Sequence, residues 1–302
     1  MKLIDIPELS QADPYIIRLG DKFYIYCTGV HGVHCYESAE LTGEWKHMGI
    51  VLAVKGQKEY WAPAVIELDG KIVMYYSSMP EDSDDVHTQR IKVATAKTPL
   101  GPFEYVKDVL PPFSIDAHPV LNADGLYMFY SVNRYEGERV GTYIVCDKML
   151  DPLTASGKPK TVVEPTLDEE IFERDRFEKG RHWHTIEGAC YFRVGDMHYC
   201  MYSGNCYEKP TYHIGYAVCA SPSDKLNELD FVKHTNGGGY APLIAENAEE
   251  TSTGHNSVIE LDGRLYVVYH GRDRAADITA VPRTARICEL TVNGDILTAE
   301  RI

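Results

Sequence analysis

Three acidic residues, Asp13, Asp116 and Glu187, open three copies of one phrase that recurs along this 302-residue chain. Each copy continues through an apolar pair and a Gly or Asp-Gly turn into a strand rich in Tyr and Val that ends in Ser, Thr or Gly. Two further copies open at Ala62-Pro63 and at His255-Asn256. Carboxyl groups gathered from distant parts of a chain repel one another when ionised. Such a gathering is costly unless it does acid and base work, with one group holding a proton and another holding a charge.

The elements that would gather them are hairpins. The copies run from Asp13 to Gly29, Ala62 to Ser78, Asp116 to Ser131, Glu187 to Gly204 and His255 to Gly271, turning at Gly20-Asp21, Asp69-Gly70, Asp124-Gly125, Gly195-Asp196 and Asp262-Gly263. Turn residues between two apolar runs are the ordinary hairpin signal. A hairpin unit repeated at intervals of roughly 50 to 70 residues marks an all-β, five-bladed β-propeller, one blade per copy. The reading is a single propeller domain over residues 1–302. All five openings should then point into one channel from the same end, with the three acids at one phase of the repeat. The irregular stretch from Asp151 to Trp183 is expected to give outer strands and a loop over the channel mouth. Asn293-Gly294 is expected to close the last hairpin.

Composition narrows the function. The charge is 30 − 45 = −15, which repels polyanions and offers no basic stripe for a phosphate backbone, so nucleic acid is excluded as a partner and a small neutral substrate fits better than a polyuronide. Eight Cys without a C-x-x-C pair read as reduced, buried hydrophobes. No stretch approaches the roughly 20 apolar residues of a membrane span, and the segment after Met1 lacks the apolar run of a signal peptide, so no membrane is expected and the location is read as cytoplasmic. Nothing sets the oligomeric state.

Taken alone, Asp13 reads as an Asp-Pro turn, Glu187 as a strand-edge carboxylate and Asp116 as a capping residue; their shared place in the repeat argues for chemistry. Trp61, between Tyr60 and Ala62-Pro63, reads as an aromatic wall for stacking on a sugar rather than a core residue, with Phe113 a second candidate. Asn205 and Tyr207, together with Tyr212, His182 and His184, are candidate lining residues.

Ala12-Asp13-Pro14, Tyr60-Trp61-Ala62-Pro63, Ser114-Ile115-Asp116, Thr185-Ile186-Glu187-Gly188 and Gly254-His255-Asn256-Ser257 resemble, in order and spacing, the blade-opening motifs of glycoside hydrolase family 43. The resemblance implies a five-bladed propeller that removes arabinose or xylose from plant-derived glycans with inversion at the anomeric carbon. It assigns Asp13 as general base, Glu187 as general acid and Asp116 as the residue that tunes and orients the acid. Inversion sets the two working carboxyls about 6.5 to 9.5 Å apart, leaving room for a water. The resemblance also implies that Arg283, with Arg286 as rival, reaches the sugar. No cofactor is needed for the chemistry, while His255 would stand beside a calcium or other ion in the channel as a minor metal ligand among waters. Many members carry Glu where this chain has Ala64. The specific expectation is an exo-acting α-L-arabinofuranosidase that releases terminal L-arabinofuranose from arabino-oligosaccharides or arabinan side chains. A β-xylosidase is the alternative, and an inactive sugar-binding propeller would lack one of the acids.

Overall fold

The computed structural model describes residues 1–6 and 8–302. The chain is all-β, and its strands fall into five consecutive antiparallel groups. The first comprises β1 (Tyr15–Leu19), β2 (Lys22–Cys27), β3 (Val33–Ser38) and β4 (Lys46–Leu52). The second comprises β5 (Gln57–Leu68), β6 (Lys71–Pro80), β7 (Arg90–Ala96) and β8 (Glu104–Asp108). In the third, β9 (Ser114–Asn122), β10 (Gly125–Arg134) and β11 (Gly141–Asp151) are followed by β12 (Thr154–Ala155) and β13 (Lys160–Val163), which both pair with β11. The fourth holds β14 (Ile171–Glu178), β15 (Arg181–Val194), β16 (Met197–Gly204), β17 (His213–Ala220) and β18 (Val232–Lys233). The fifth holds β19 (Glu250–Leu261), β20 (Arg264–Asp273), β21 (Thr284–Asn293) and β22 (Ile296–Arg301).

The first, second and fifth groups are separate four-stranded sheets. The third and fourth merge into one ten-stranded sheet, because Gly141 and Thr142 of β11 pair in parallel with His184 and Thr185 of β15. The leading strands β1, β5, β9, β15 and β19 neighbour one another in that order, and β19 neighbours β1. Between them lie five apolar clusters, one for each pair of successive groups. Tyr26 and Val33 meet Tyr60 and Met74, for example, and Ile25 and Tyr36 meet Val268 and Ile287 across the junction of the first and last groups. Tyrosine suits these seams, since the ring fills the gap between sheets while the hydroxyl reaches a carbonyl beyond it. Tyr26 bonds Pro99 O and Tyr75 bonds Pro152 O in this way.

Four of the inner hairpins turn where the sequence places them. The exception is the third, where β9 ends at Asn122 and β10 begins at Gly125, so that Ala123-Asp124 makes the turn. The Asp151–Trp183 stretch supplies outer strands as expected, but its second half is the ordered strand β14, paired to β15, rather than a loop. Seven of the eight Cys are buried, and all are unbonded. Among the described residues no helix is long and apolar enough to cross a membrane.

One backbone device recurs at the head of each leading strand. Asp13, Ala62, Asp116, Gly188 and His255 all have left-handed φ values, at 53°, 44°, 59°, 63° and 43°. In the last four groups the strand register slips there, which is a β-bulge that turns a side chain out of the pleat. Left-handed backbone costs a non-glycine residue roughly 1–2 kcal/mol, so something must hold it. The holder is the preceding group: Ala62 N–H donates to Thr28 Oγ1 (2.9 Å), Gly188 N–H to Asp116 Oδ2 (3.0 Å), His255 N–H to Ser203 Oγ (2.7 Å) and Asp13 N–H to His270 Nδ1 (3.2 Å).

The merging of the third and fourth groups depends on Gly141. A Cβ there would lie 2.0 Å from the backbone oxygen of His184, which cannot move without breaking the pairing. We expect Gly141→Ala to destabilise the fold by about 2–4 kcal/mol in urea or thermal unfolding. Gly294→Ala, in a turn with nothing near the added carbon, should cost only about 1–2 kcal/mol from its φ of 63°. Equal losses would show that the β11–β15 contact does not stabilise the fold.

Candidate active site

Three of the five left-handed positions, Asp13, Asp116 and His255, and the residues just before the other two, Trp61 and Glu187, line a cavity of about 550 Å³. Asp13, Asp116, Glu187, Trp61, Tyr207, His255 and Arg283 all line it, with Thr28, His34, Glu59 and Tyr212 among their neighbours. The three acids therefore meet, but not at one phase of the repeat. Asp13 and Asp116 occupy the left-handed position itself, whereas Glu187 precedes Gly188 and shares its place with Trp61 and Ile115. Gly188 stands where an acid stands in the other two groups, and a Cβ there would lie only 3.2 Å from His255 Nδ1, which would have to shift by a few tenths of an ångström.

Asp13 is 9% exposed, and its carboxyl is ringed by polar groups. Thr28 Oγ1 donates to its Oδ2 at 2.5 Å, while Arg283 Nη1, His270 Nδ1 and His255 Nδ1 lie 3.3, 3.3 and 3.4 Å from its Oδ1. Burial pushes its pKa up, but Arg283, His255 and His270 outweigh that and hold the carboxyl well below its usual value, so it is ionised. His270 is fully buried, and burial draws its pKa down to about 3, so this ring is neutral.

The other two acids go the opposite way. Asp116 is 6% exposed, and burial, together with the charges of Glu187 and Asp13, lifts its pKa to about 7 despite the Gly188 N–H on Oδ2. Glu187 is partly exposed to the cavity, and burial with the charge of Asp13 lifts it to about 7, against the bond from Tyr212 O–H to Oε1 (2.8 Å) and the field of Arg283. Among the described residues Arg283 is the only Lys or Arg that lines the cavity. Its guanidinium lies 4.8 Å from the centre of the Tyr207 ring, which fixes its aim. The rival Arg286 is engaged elsewhere, with Glu250 at 3.2 Å and Asp273 at 2.7 Å. Trp61 is tethered by its Nε1–H to Glu59 Oε2 at 3.0 Å, which leaves the ring face along the cavity wall.

Four expected lining residues are elsewhere: His182 accepts from Asp175 N–H at 3.1 Å and His184 meets Arg139 Nη1 at 3.0 Å, and neither lines the cavity, nor do Phe113 and Asn205. Phe113 sits two residues upstream of Ile115, ahead of the bulge, and faces a separate cavity of about 470 Å³ with His87, Tyr130 and Tyr135. Asn205 spends its side chain on its own turn, accepting from Cys206 N–H (2.7 Å) and donating to Glu169 O (2.8 Å), and does not reach the acids. None of residues 151–183 lines the cavity, so the expected covering loop is not there. As for an ion beside His255, no group of three or more His, Cys, Asp or Glu among the described residues could hold a metal. The His255 ring faces Asp13, with Nδ1 3.4 Å from Oδ1.

The sequence matches the model of Glycosyl hydrolases family 43 over residues 6–296. The chain belongs to this family. A curated relative, the extracellular exo-alpha-(1->5)-L-arabinofuranosidase of Streptomyces avermitilis, is 25% identical over 95% of this chain, which spans only 60% of that protein's length. Among solved structures, a thermostable family-43 glycoside hydrolase superposes with a TM-score of 0.81 at 28% identity, covering 100% of this chain and 96% of that one. An endo-1,4-beta-xylanase from Bacteroides thetaiotaomicron superposes with a TM-score of 0.78 at 25% identity, covering 97% and 95%.

Sequence reasoning missed Thr28, Glu59 and His270. Thr28 and His270 stand at one recurring place, the end of the second strand after Tyr26-Cys27 and Tyr269, where the other groups carry Ser77, Ser131 and Ser203. Extending the repeat to that strand would have found them.

A raised carboxyl makes stability depend on pH. With Asp116 at about 7 when folded and near 3.9 when unfolded, the fold favours the protonated form. Its contribution is fully present below the unfolded value and is lost as pH rises through the folded one. Asp116→Asn should therefore raise Tm at pH 8 relative to the parent and change it less at pH 4. An identical shift at both values, by calorimetry, would contradict the buried, proton-holding Asp116.

Proposed function

We propose that this chain is a single-domain, five-bladed β-propeller that hydrolyses glycosidic bonds with inversion, acting as an exo-α-L-arabinofuranosidase on arabino-oligosaccharides or arabinan side chains. The five groups are its blades, and the apolar seam between the last and the first is the closure. The single observation that carries the catalytic reading is one cavity in which three carboxyls from three blades divide into one ionised group and two that hold protons near neutrality.

In this mechanism the sugar stacks on Trp61, and Glu187 gives its proton to the departing glycosidic oxygen as that oxygen's bond to the anomeric carbon breaks. Asp13 takes a proton from the water that attacks the same carbon from the opposite face, so the new hydroxyl carries the inverted configuration. Burial and the charge of Asp13 keep the Glu187 proton in place, while Asp116, itself protonated near neutrality, fixes the backbone beside the acid by accepting from Gly188 N–H. Arg283 balances the Asp13 charge and is in position to meet a sugar hydroxyl.

The arabinose assignment rests on the Streptomyces relative, whose name also supports attack at a chain end. The xylanase at equal identity keeps xylo-oligosaccharides, and thus a β-xylosidase, as the second reading. The same relative is named extracellular, which points away from a cytoplasmic location.

With nitrophenyl α-L-arabinofuranoside, nitrophenyl β-D-xylopyranoside and arabino-oligosaccharides as substrates, we expect the first and third to be turned over faster. Asp13→Asn should lower kcat by about 10²–10⁴ on every substrate, and Glu187→Gln by as much on arabino-oligosaccharides, whose alkoxide leaving group needs the acid. The kcat/KM profile should fall above about pH 7 as Glu187 loses its proton, and proton NMR should detect the inverted sugar first. Turnover within a few-fold of the parent in both variants, or initial release of the retained anomer, would overturn the scheme.

A further inference from the structure

The least expected neighbour of the acid is a phenol. Tyr212, 1% exposed, stands immediately before β17, and its O–H donates to Glu187 Oε1 at 2.8 Å. Its ring lies parallel to His270, with centres 5.7 Å apart and planes at 13°, so it bridges from the acid to the imidazole behind Asp13. The opposite wall is Gly254, where a Cβ would fall 1.8 Å from Tyr212 Cε1; the slot is cut for this ring.

Burial, with the nearby charges of Glu187 and Asp13, keeps the phenol well above its ordinary pKa, so the O–H remains a donor throughout the working range. Its oxygen is also within the reach of the Ser203 side chain, whose Oγ accepts from His255 N–H. The phenol proton is thereby committed to Glu187. A carboxylic acid has one proton to share between two oxygens, and an oxygen already accepting a hydrogen bond is a poor place for it.

Resting on the hydrolase reading above, we propose that Tyr212 is a positioning residue that decides which oxygen of Glu187 carries the transferable proton. Its O–H occupies Oε1, leaving Oε2 to hold the proton given to the departing sugar. Nothing in the recurring phrase requires a phenol here, since the other two acids, Asp13 and Asp116, have none bonded to them.

The test is leaving-group dependence. Departure of an alkoxide needs a well-placed acid, whereas nitrophenolate leaves almost unaided. Tyr212→Phe in the full chain should lower kcat on arabino-oligosaccharides by about 10-fold or more, as a misplaced catalytic group does, and on nitrophenyl arabinofuranoside only a few-fold, with KM little changed on both. Because the phenol bond favours the ionised acid, its loss should move the alkaline limb upward. Should that variant fail to fold, 3-fluorotyrosine incorporated at position 212 keeps the shape with a stronger donor and should move the limb downward. A uniform loss on both substrates, or a limb that stays put in either protein, would overturn the proposal while leaving the hydrolase reading intact. An inactive parent would sink both.

Discussion

Three carboxyl groups share one desolvated cavity with a single guanidinium, and the rest of the structure follows from how that imbalance is resolved. In a medium less polar than water, each added negative charge raises the cost of the next. One carboxylate can be balanced by Arg283; the other two must keep their protons. Asp13 wins because it alone has Arg283, Thr28 and two imidazoles within reach of its oxygens. The division into one ionised and two proton-holding carboxyls is thus a consequence of where one cation sits, not of any intrinsic difference between Asp and Glu.

Holding that arrangement takes a backbone device. A regular strand sends alternate residues to opposite faces, and its end would offer a cavity only one side chain. A left-handed residue at the head of each leading strand breaks the alternation and lets adjacent positions address the same space. The device is expensive, and at four of the five positions it is stabilised from the neighbouring group: the N–H of Ala62, Gly188, His255 and Asp13 finds a hydroxyl, carboxylate or imidazole on the preceding group. Asp116 serves both purposes at once, fixing Gly188 with the same carboxyl that repels Glu187. The bonds that hold the site thus also tie neighbouring groups together, and the one from Asp13 N–H to His270 does so at the junction where the first and last groups meet.

The hairpin repeat was legible in the sequence because it is local: Asp69-Gly70 and Asp262-Gly263 between apolar runs leave little else possible. So were Asp13, Asp116, Trp61 and Arg283, each tied to a motif at a recurring place. What escaped was set by relations the primary sequence does not encode directly. The one-residue offset of Glu187 depends on a bulge and on the room beside Gly188. Phe113 looked equivalent to Trp61, yet two residues of strand carry it into another cavity. Asn205 was drawn off by its own turn. Tyr212 reaches Glu187 across 25 positions, and only the void at Gly254 makes that possible.

The most direct test of the central claim is to titrate the three carboxyls themselves, by isotope-edited infrared or carbon NMR of Asp- and Glu-labelled protein, assigning signals with Asp13→Asn, Asp116→Asn and Glu187→Gln. The account predicts that one, belonging to Asp13, stays ionised down to the lowest pH at which the fold survives, and that two titrate together near neutrality. If all three instead ionise below pH 5 in the folded protein, then one cation does not govern the site, and the division between acid and base has another origin.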